Sequence, residues 1–213
     1  MGRYLIYLFF LGGVAGFGLS IQYFDRTRVT RYIALEPNIL MHNHIRAKAN
    51  EAGFHESDGT LIILSFGAED TQSILSSLSS QLGQEPAAVD TILSVLTLCS
   101  IPDPQRTISK LIRDVLRSGG QLLYFEHVLN TARPDVAWWQ RFWAPVWACV
   151  FDGCRMDRPS DIWIRDLKIG GGDEGSDTTT TTTTTWKEWK IYDFPDEDEE
   201  HLFCHRSGKF VKI

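Results

Sequence analysis

A chain of 213 residues has the length of one domain, and with 43% hydrophobic residues it can bury a full core. Its net charge is −6 and the acidic excess lies near the C-terminus, which argues against a groove for DNA or RNA. The cysteines Cys99, Cys149, Cys154 and Cys204 form no C-x-x-C pair and read as free thiols of an intracellular protein; His201, Cys204 and His205 with Cys149 and Cys154 fit no common zinc spacing, so no metal is expected.

Tyr4 to Ile21 carries no charge, and three readings stand for it. The run is long enough for a membrane helix or the apolar part of a signal sequence. It also reads as a first strand, Tyr4 to Phe10, followed by a loop with Gly12, Gly13, Gly16 and Gly18, the residue type that lets backbone hug a phosphate or cofactor. A mis-built start of the gene is the third. The strand reading draws support from the next segment, because Val29 to Glu36 is a second short strand ending in an acid, 18 residues past Gly18. An acid at about that distance is where an α/β nucleotide site holds a ribose hydroxyl. A dinucleotide fingerprint would need glycine at position 21 and finds Ile21.

Residues 38–52 predict a helix with Met41, Ile45 and Ala49 on one face, Pro37 at its start and Gly53 as its stop. Thr60 to Ser65 is the third strand, followed by Gly67-Ala68-Glu69-Asp70, which also suits a helix N-cap, and by a helix over 71–82. Val89 onward is a fourth strand entering a Pro-bounded loop. Residues 104–117 place Ile108, Leu111, Ile112, Val115 and Leu116 at helical spacing, Gly119-Gly120 stop that helix, and Gln121 to Phe125 form a buried fifth strand before Glu126-His127.

Trp139, Trp143 and Trp147 recur every four residues and Phe142 joins them, which predicts a helix whose aromatic stripe packs on the sheet or walls an apolar pocket. Asp152 to Asp166 reads as a loop and a short helix. Residues of about 170–185, glycine-rich and then all threonine, are a low-complexity insertion in a single domain spanning 1–213. Trp186 to Tyr192 is strand six, Leu202-Phe203 and Lys209 to Ile213 bracket the last strand, and the acids between 193 and 200 form a solvated hairpin loop.

Asp90 through His127, with the turn Arg113-Asp-Val-Leu-Arg-Ser-Gly-Gly, resembles strands four and five of class I S-adenosylmethionine-dependent methyltransferases. The wording Leu98-Cys-Ser-Ile-Pro and Phe125-Glu-His-Val is similar to the type 11 group that includes thiol methyltransferases. Ser118 stands where the pattern has proline, and Gly12 and Val14 depart from the acid and first glycine of the family's first motif. The resemblance implies a Rossmann-like, doubly wound seven-stranded sheet, mostly parallel with an antiparallel last strand. It further implies an enzyme that binds S-adenosylmethionine and methylates a small-molecule acceptor, a thiol among the candidates.

On the same resemblance, Gly16, Gly18 and Ser94 approach the methionine part of the cofactor, Glu36 with its neighbour Pro37 the ribose, and Ala68 and Glu69 the adenine. No unique catalytic residue is required. His127 is the candidate for a base, its unperturbed pKa being near 6.5; a structural histidine is the plainer reading. The competing functions are a methyltransferase-fold binding protein without turnover and a form anchored in the membrane by residues 4–21. A cytoplasmic location is expected, with membrane association as the alternative.

Overall fold

The computed structural model describes residues 4–8, 19–83, 89–169, 184–195 and 197–213. Seven strands hydrogen-bond in the order β3-β2-β1-β4-β5-β7-β6. They are β1 (Tyr4–Leu8), β2 (Arg31–Leu35), β3 (Leu61–Leu64), β4 (Val89–Val95), β5 (Leu116–His127), β6 (Trp186–Asp193) and β7 (His205–Lys212). β1 to β5 pair in parallel, and β7 runs antiparallel between β5 and β6. Tyr4–Leu8 is therefore a central strand, as one of the three readings of the N-terminus expects. The glycine loop, with Gly16 and Gly18, lies outside the described residues.

Alternation along the strands divides the core in two. Ile33 and Leu35 of β2 join one cluster with Ile62, Leu64, Ile92, Leu122 and Phe210, while Tyr32, Ala34 and Leu61 join the other. Successive side chains of a strand point to opposite faces, so these are the two faces of one sheet. The helices α1 (His42–Glu51), α2 (Thr71–Leu82), α3 (Pro104–Lys110), α4 (Pro134–Val150) and α5 (Ser160–Arg165) connect the strands. Ile45 and Ala49 of α1 enter the second cluster; Ile74 and Leu78 of α2, Ile108 of α3 and Ile164 of α5 enter the first. Burying apolar area on both faces is what commits this chain to a layered α/β domain.

Local signals set the element ends. α2 starts where the Asp70 carboxylate accepts the Ser73 N–H at 3.1 Å and ends at Gly83 in the left-handed conformation. The expected helix over 38–52 is shorter: Asn38 caps a 3₁₀ turn, Ile39–Met41, and α1 follows it.

The expected helix over 104–117 needs correction. α3 stops at Lys110, a π turn takes Leu111–Val115, and the chain is already extended at Leu116, which pairs with Val89. Pairing then jumps to Thr91 with Gln121, so Arg117 to Gly120 bulge out of the ladder. Helical spacing of apolar residues continues through this stretch because Leu111, Ile112, Val115 and Leu116 are all buried, whatever backbone carries them.

The aromatic stripe is a second correction. α4 buries Val136, Ala137, Gln140 and Ala144, whereas Trp138, Trp139, Phe142 and Trp143 are exposed; of the stripe, Trp147 is half-buried, packed on Phe203 with centroids 4.6 Å apart. Gln140 anchors that inward face, accepting the Asn130 N–H at 2.8 Å and donating to the carbonyls of Val128 and Leu202. The aromatic rings stack on one another outside, Trp138 on Phe142 at 5.5 Å.

The low-complexity segment is closed at its base by an antiparallel bridge between Lys168 and Thr184. Thr185, at the end of the threonine run, is buried and its hydroxyl donates to the Leu167 carbonyl. The last strand runs from His205 to Lys212, within the stretch expected for it. Among the described residues, no helix is long and apolar enough to cross a membrane.

Candidate active site

Five parallel strands end at one edge of the sheet, and the order reverses direction between β1 and β4, the position where open α/β sheets take their ligands. Glu36 follows β2 directly. It is only 3% exposed, and its Oε1 accepts the Asn38 N–H at 2.8 Å. Burial pushes its carboxyl above the ordinary value, against the Asn38 hydrogen bond that favours the anion. His42 Nε2 meets the Glu36 carbonyl at 2.8 Å and ties α1 to the strand end. Pro37 is exposed beside it.

β3 ends in the turn that carries Ala68, which is buried, and Glu69, which is exposed. The Glu69 carboxylate folds back over Gly67, where a Cβ would collide with it. The same turn delivers Asp70 to the N-cap of α2, so the helix-cap and edge-of-sheet readings of this motif coexist.

Ser94 and Glu126 form the centre of the edge. The Ser94 hydroxyl donates to Glu126 Oε1 at 2.6 Å, and the Glu126 carboxylate also accepts the N–H groups of Thr97 at 3.0 Å and Leu98 at 3.1 Å. Both side chains are fully buried, and burial pushes the Glu126 carboxyl up to about 7 despite those three donors. Leu96, between them in the chain, takes a positive φ of 50° and donates its N–H to the Phe125 carbonyl. Glu126 thus holds the turn leaving β4 onto the end of β5, a role the sequence reading did not assign to it. The signal available was its position at the end of an apolar strand, where a carboxylate needs donors.

His127 ends β5. Its Nδ1 lies 3.7 Å from Cys154 Sγ, and its ring packs between Phe203 and His205, centroids 5.4 and 4.6 Å away. Cys99 and Cys154 are buried with their sulfurs 3.5 Å apart. Arg158 closes this side, its Nη1 donating to the carbonyls of Leu98 and Ile101. His205 also lines a polar cleft with Asn130, Arg133, Glu197 and Arg206. The sequence grouping of His201, Cys204 and His205 with Cys149 and Cys154 does not form. The described residues instead bring Cys99, His127 and Cys154 together.

The family model described as "Methyltransferase domain" matches residues 13–124, just over half of the chain. Human thiol S-methyltransferase TMT1B is 36% identical over 84 residues, covering 38% of this chain and 32% of that protein. Human thiol S-methyltransferase TMT1A is 36% identical over 73 residues, covering 34% and 30%. The matched segments thus span about a third of the length of these relatives. Among solved structures, N-methyltransferase NodS from Bradyrhizobium japonicum WM9, in complex with S-adenosyl-L-homocysteine, aligns with a TM-score of 0.57 at 7% identity, covering 99% of this chain and 78% of that one. At that identity the likeness is one of fold, a Rossmann-like methyltransferase architecture.

Proposed function

The chain belongs to the methyltransferase-domain family, and on that premise we propose that it is an S-adenosylmethionine-dependent methyltransferase acting on a small-molecule acceptor of the thiol class. The observation that carries this reading is the Glu36 carboxylate, buried at the end of β2 beside the switch point and held by a backbone N–H. A carboxylate so placed fits a ribose diol, which offers two hydroxyl donors. The seven-strand order is taken as the doubly wound sheet expected of this family, with helices on both faces.

In this reading Glu36 and Pro37 border the ribose, Ala68 presents its backbone and Glu69 its carboxylate to the adenine, and Gly16 and Gly18, which lie outside the described residues, are assigned to the methionine part. The Ser94 hydroxyl proton is committed to Glu126, which leaves the Ser94 oxygen lone pairs as acceptors for an ammonium. When bound, S-adenosylmethionine supplies a methyl group already activated on a sulfonium. The protein's share is to orient the acceptor in line and keep water out, and the dry edge formed by Ser94, Glu126 and Leu98 suits that task. A thiol acceptor must lose a proton, and the Cys99, His127 and Cys154 corner adjoins that edge, Cys99 following Leu98 and His127 following Glu126 in the chain. His127 faces Cys154, so its role as a simple base is the weaker assignment.

Calorimetry with S-adenosylmethionine on the purified chain tests this, followed by small thiols as acceptors with the thioether product read by mass spectrometry. Binding that Glu36→Ala abolishes, with product formed, supports the proposal. Absence of binding overturns it, and binding without turnover of any acceptor marks a methyltransferase-fold binding protein instead.

A further inference from the structure

Cys99, Cys154 and His127 come from three separate elements. Cys99 sits in the turn after β4, His127 ends β5, and Cys154 follows α4 through Asp152 and Gly153, both with positive φ. The Arg155 N–H donates to the Cys99 carbonyl at 2.8 Å, which clamps the two cysteine segments together. Neither cysteine is in a disulfide. The sulfurs stand 3.5 Å apart, Cys154 Sγ is 3.7 Å from His127 Nδ1, and all three donor atoms lie within 4.8 Å of one another.

The sulfur–sulfur separation and the Cys154–His127 separation are close to the edges of a metal's coordination shell. With Zn–S about 2.3 Å and Zn–N about 2.0–2.1 Å, a tetrahedral zinc sets its S···S edge at about 3.8 Å and its S···N edge at about 3.6 Å. The charge also suits a buried site. Two thiolates neutralise a divalent ion, and the two other charged groups beside them, Glu126 and Arg158, are of opposite sign. Donor type points the same way, since two thiolates and one imidazole select zinc and similar soft-to-borderline metals over magnesium or calcium.

We propose that Cys99, Cys154 and His127 bind one zinc-type divalent ion, and that its fourth position takes the sulfur of a thiol acceptor. The second half rests on the thiol reading above. Three protein ligands are the pattern of a zinc that keeps one position for water or substrate. In the exchange, the acceptor S–H bond breaks, a metal–sulfur bond forms, the metal-bound water leaves, and the proton departs on that water. The acceptor is then held as a thiolate at the sheet edge, with no side chain needed as a base.

Cobalt is the probe. The full chain, reduced and stripped of metal by a chelator, is titrated with Co²⁺ and followed by absorption, with cofactor binding measured by calorimetry on the same preparation. The expected result is one equivalent of cobalt with sulfur-to-cobalt charge-transfer and tetrahedral visible bands, lost in Cys154→Ser and Cys99→Ser, weakened in His127→Ala and kept in Cys149→Ser, whose cysteine is exposed. Adding 2-mercaptoethanol shifts the visible bands. Wild-type protein that binds S-adenosylmethionine but shows no such bands overturns the metal site and leaves the methyltransferase reading standing; because this is read on wild type, a variant that misfolds does not blur it. Bands that no thiol perturbs overturn the acceptor's place on the metal.

Discussion

Ser94 at the end of β4 donates to Glu126 at the end of β5 across 2.6 Å, and the same carboxylate collects the N–H groups of Thr97 and Leu98. The turn that leaves β4, with the strained Leu96 in it, is shaped by a group on the neighbouring strand. Glu126 therefore couples the cofactor side of the edge to the corner where Cys99 and His127 stand.

That coupling depends on pH. The Glu126 carboxyl is raised from an ordinary 4.5 to about 7 by burial. An acid with a higher pKa in the folded state holds its proton more tightly there, so its contribution is fullest below about 4.5 and fades as pH climbs to about 7. Urea unfolding at pH 5 and pH 7.5 should show wild type losing on the order of 3 kcal/mol relative to Glu126→Gln, whose side chain does not titrate. At pH 5 the folded wild type carries the neutral carboxyl, which the Gln amide nearly reproduces, so the variant should lie within about 1 kcal/mol of it. A parallel pH dependence in both proteins would remove Glu126 as the source.

Glu36→Gln and Glu36→Ala separate charge from shape. Losing a hydrogen bond to a charged group costs about 1.5–3 kcal/mol, so Glu36→Ala should bind S-adenosylmethionine roughly 10- to 100-fold more weakly. Glu36→Gln should keep part of that affinity, and neither variant should lower the melting temperature much, since the carboxyl is already disfavoured by burial. Calorimetry and thermal melts on the pair check both halves.

Gly120 and Gly119 should respond differently to alanine. A Cβ at Gly120 would lie 2.7 Å from Leu116 Cδ1, 2.8 Å from the Arg117 carbonyl and 3.0 Å from the Asp90 carbonyl, and backbone cannot give way as a side-chain tip can. Gly120→Ala is expected to cost about 1–3 kcal/mol through this overpacking. At Gly119 the space is open and only the positive φ of 71° opposes a side chain, so Gly119→Ala should cost about 1–2 kcal/mol. Equilibrium unfolding ranks them.

The two faces of α4 give a fourth contrast. Replacing exposed Trp138 or Phe142 by Gln should leave stability within about 0.5 kcal/mol. Gln140→Ala, by contrast, strands the Asn130 N–H and the Val128 and Leu202 carbonyls in a buried site and should cost several times more. A large loss from the tryptophan variant would mean that the outer face packs on something.

Much of this architecture was legible in the chain because short-range rules wrote it. Asp70 and Gly83 bound α2 at the expected residues, and the second strand ends directly before Glu36, as its acid-terminated pattern predicts. The helix predicted through 117 failed because four buried apolar residues look alike whether a helix, a π turn or a strand carries them.

By itself the sequence determined the succession of strands and helices along the chain, since period, caps and turns act within a few neighbours, while the sheet's reversal point was implied only by the family resemblance. Only the tertiary structure decided which face of α4 meets the core, and that Cys99, His127 and Cys154 share one corner. Periodicity says which residues lie on a common face, not which face is buried. The meeting of three distant side chains is set by the crossing of β4, β5 and the chain after α4, to which no local spacing is sensitive.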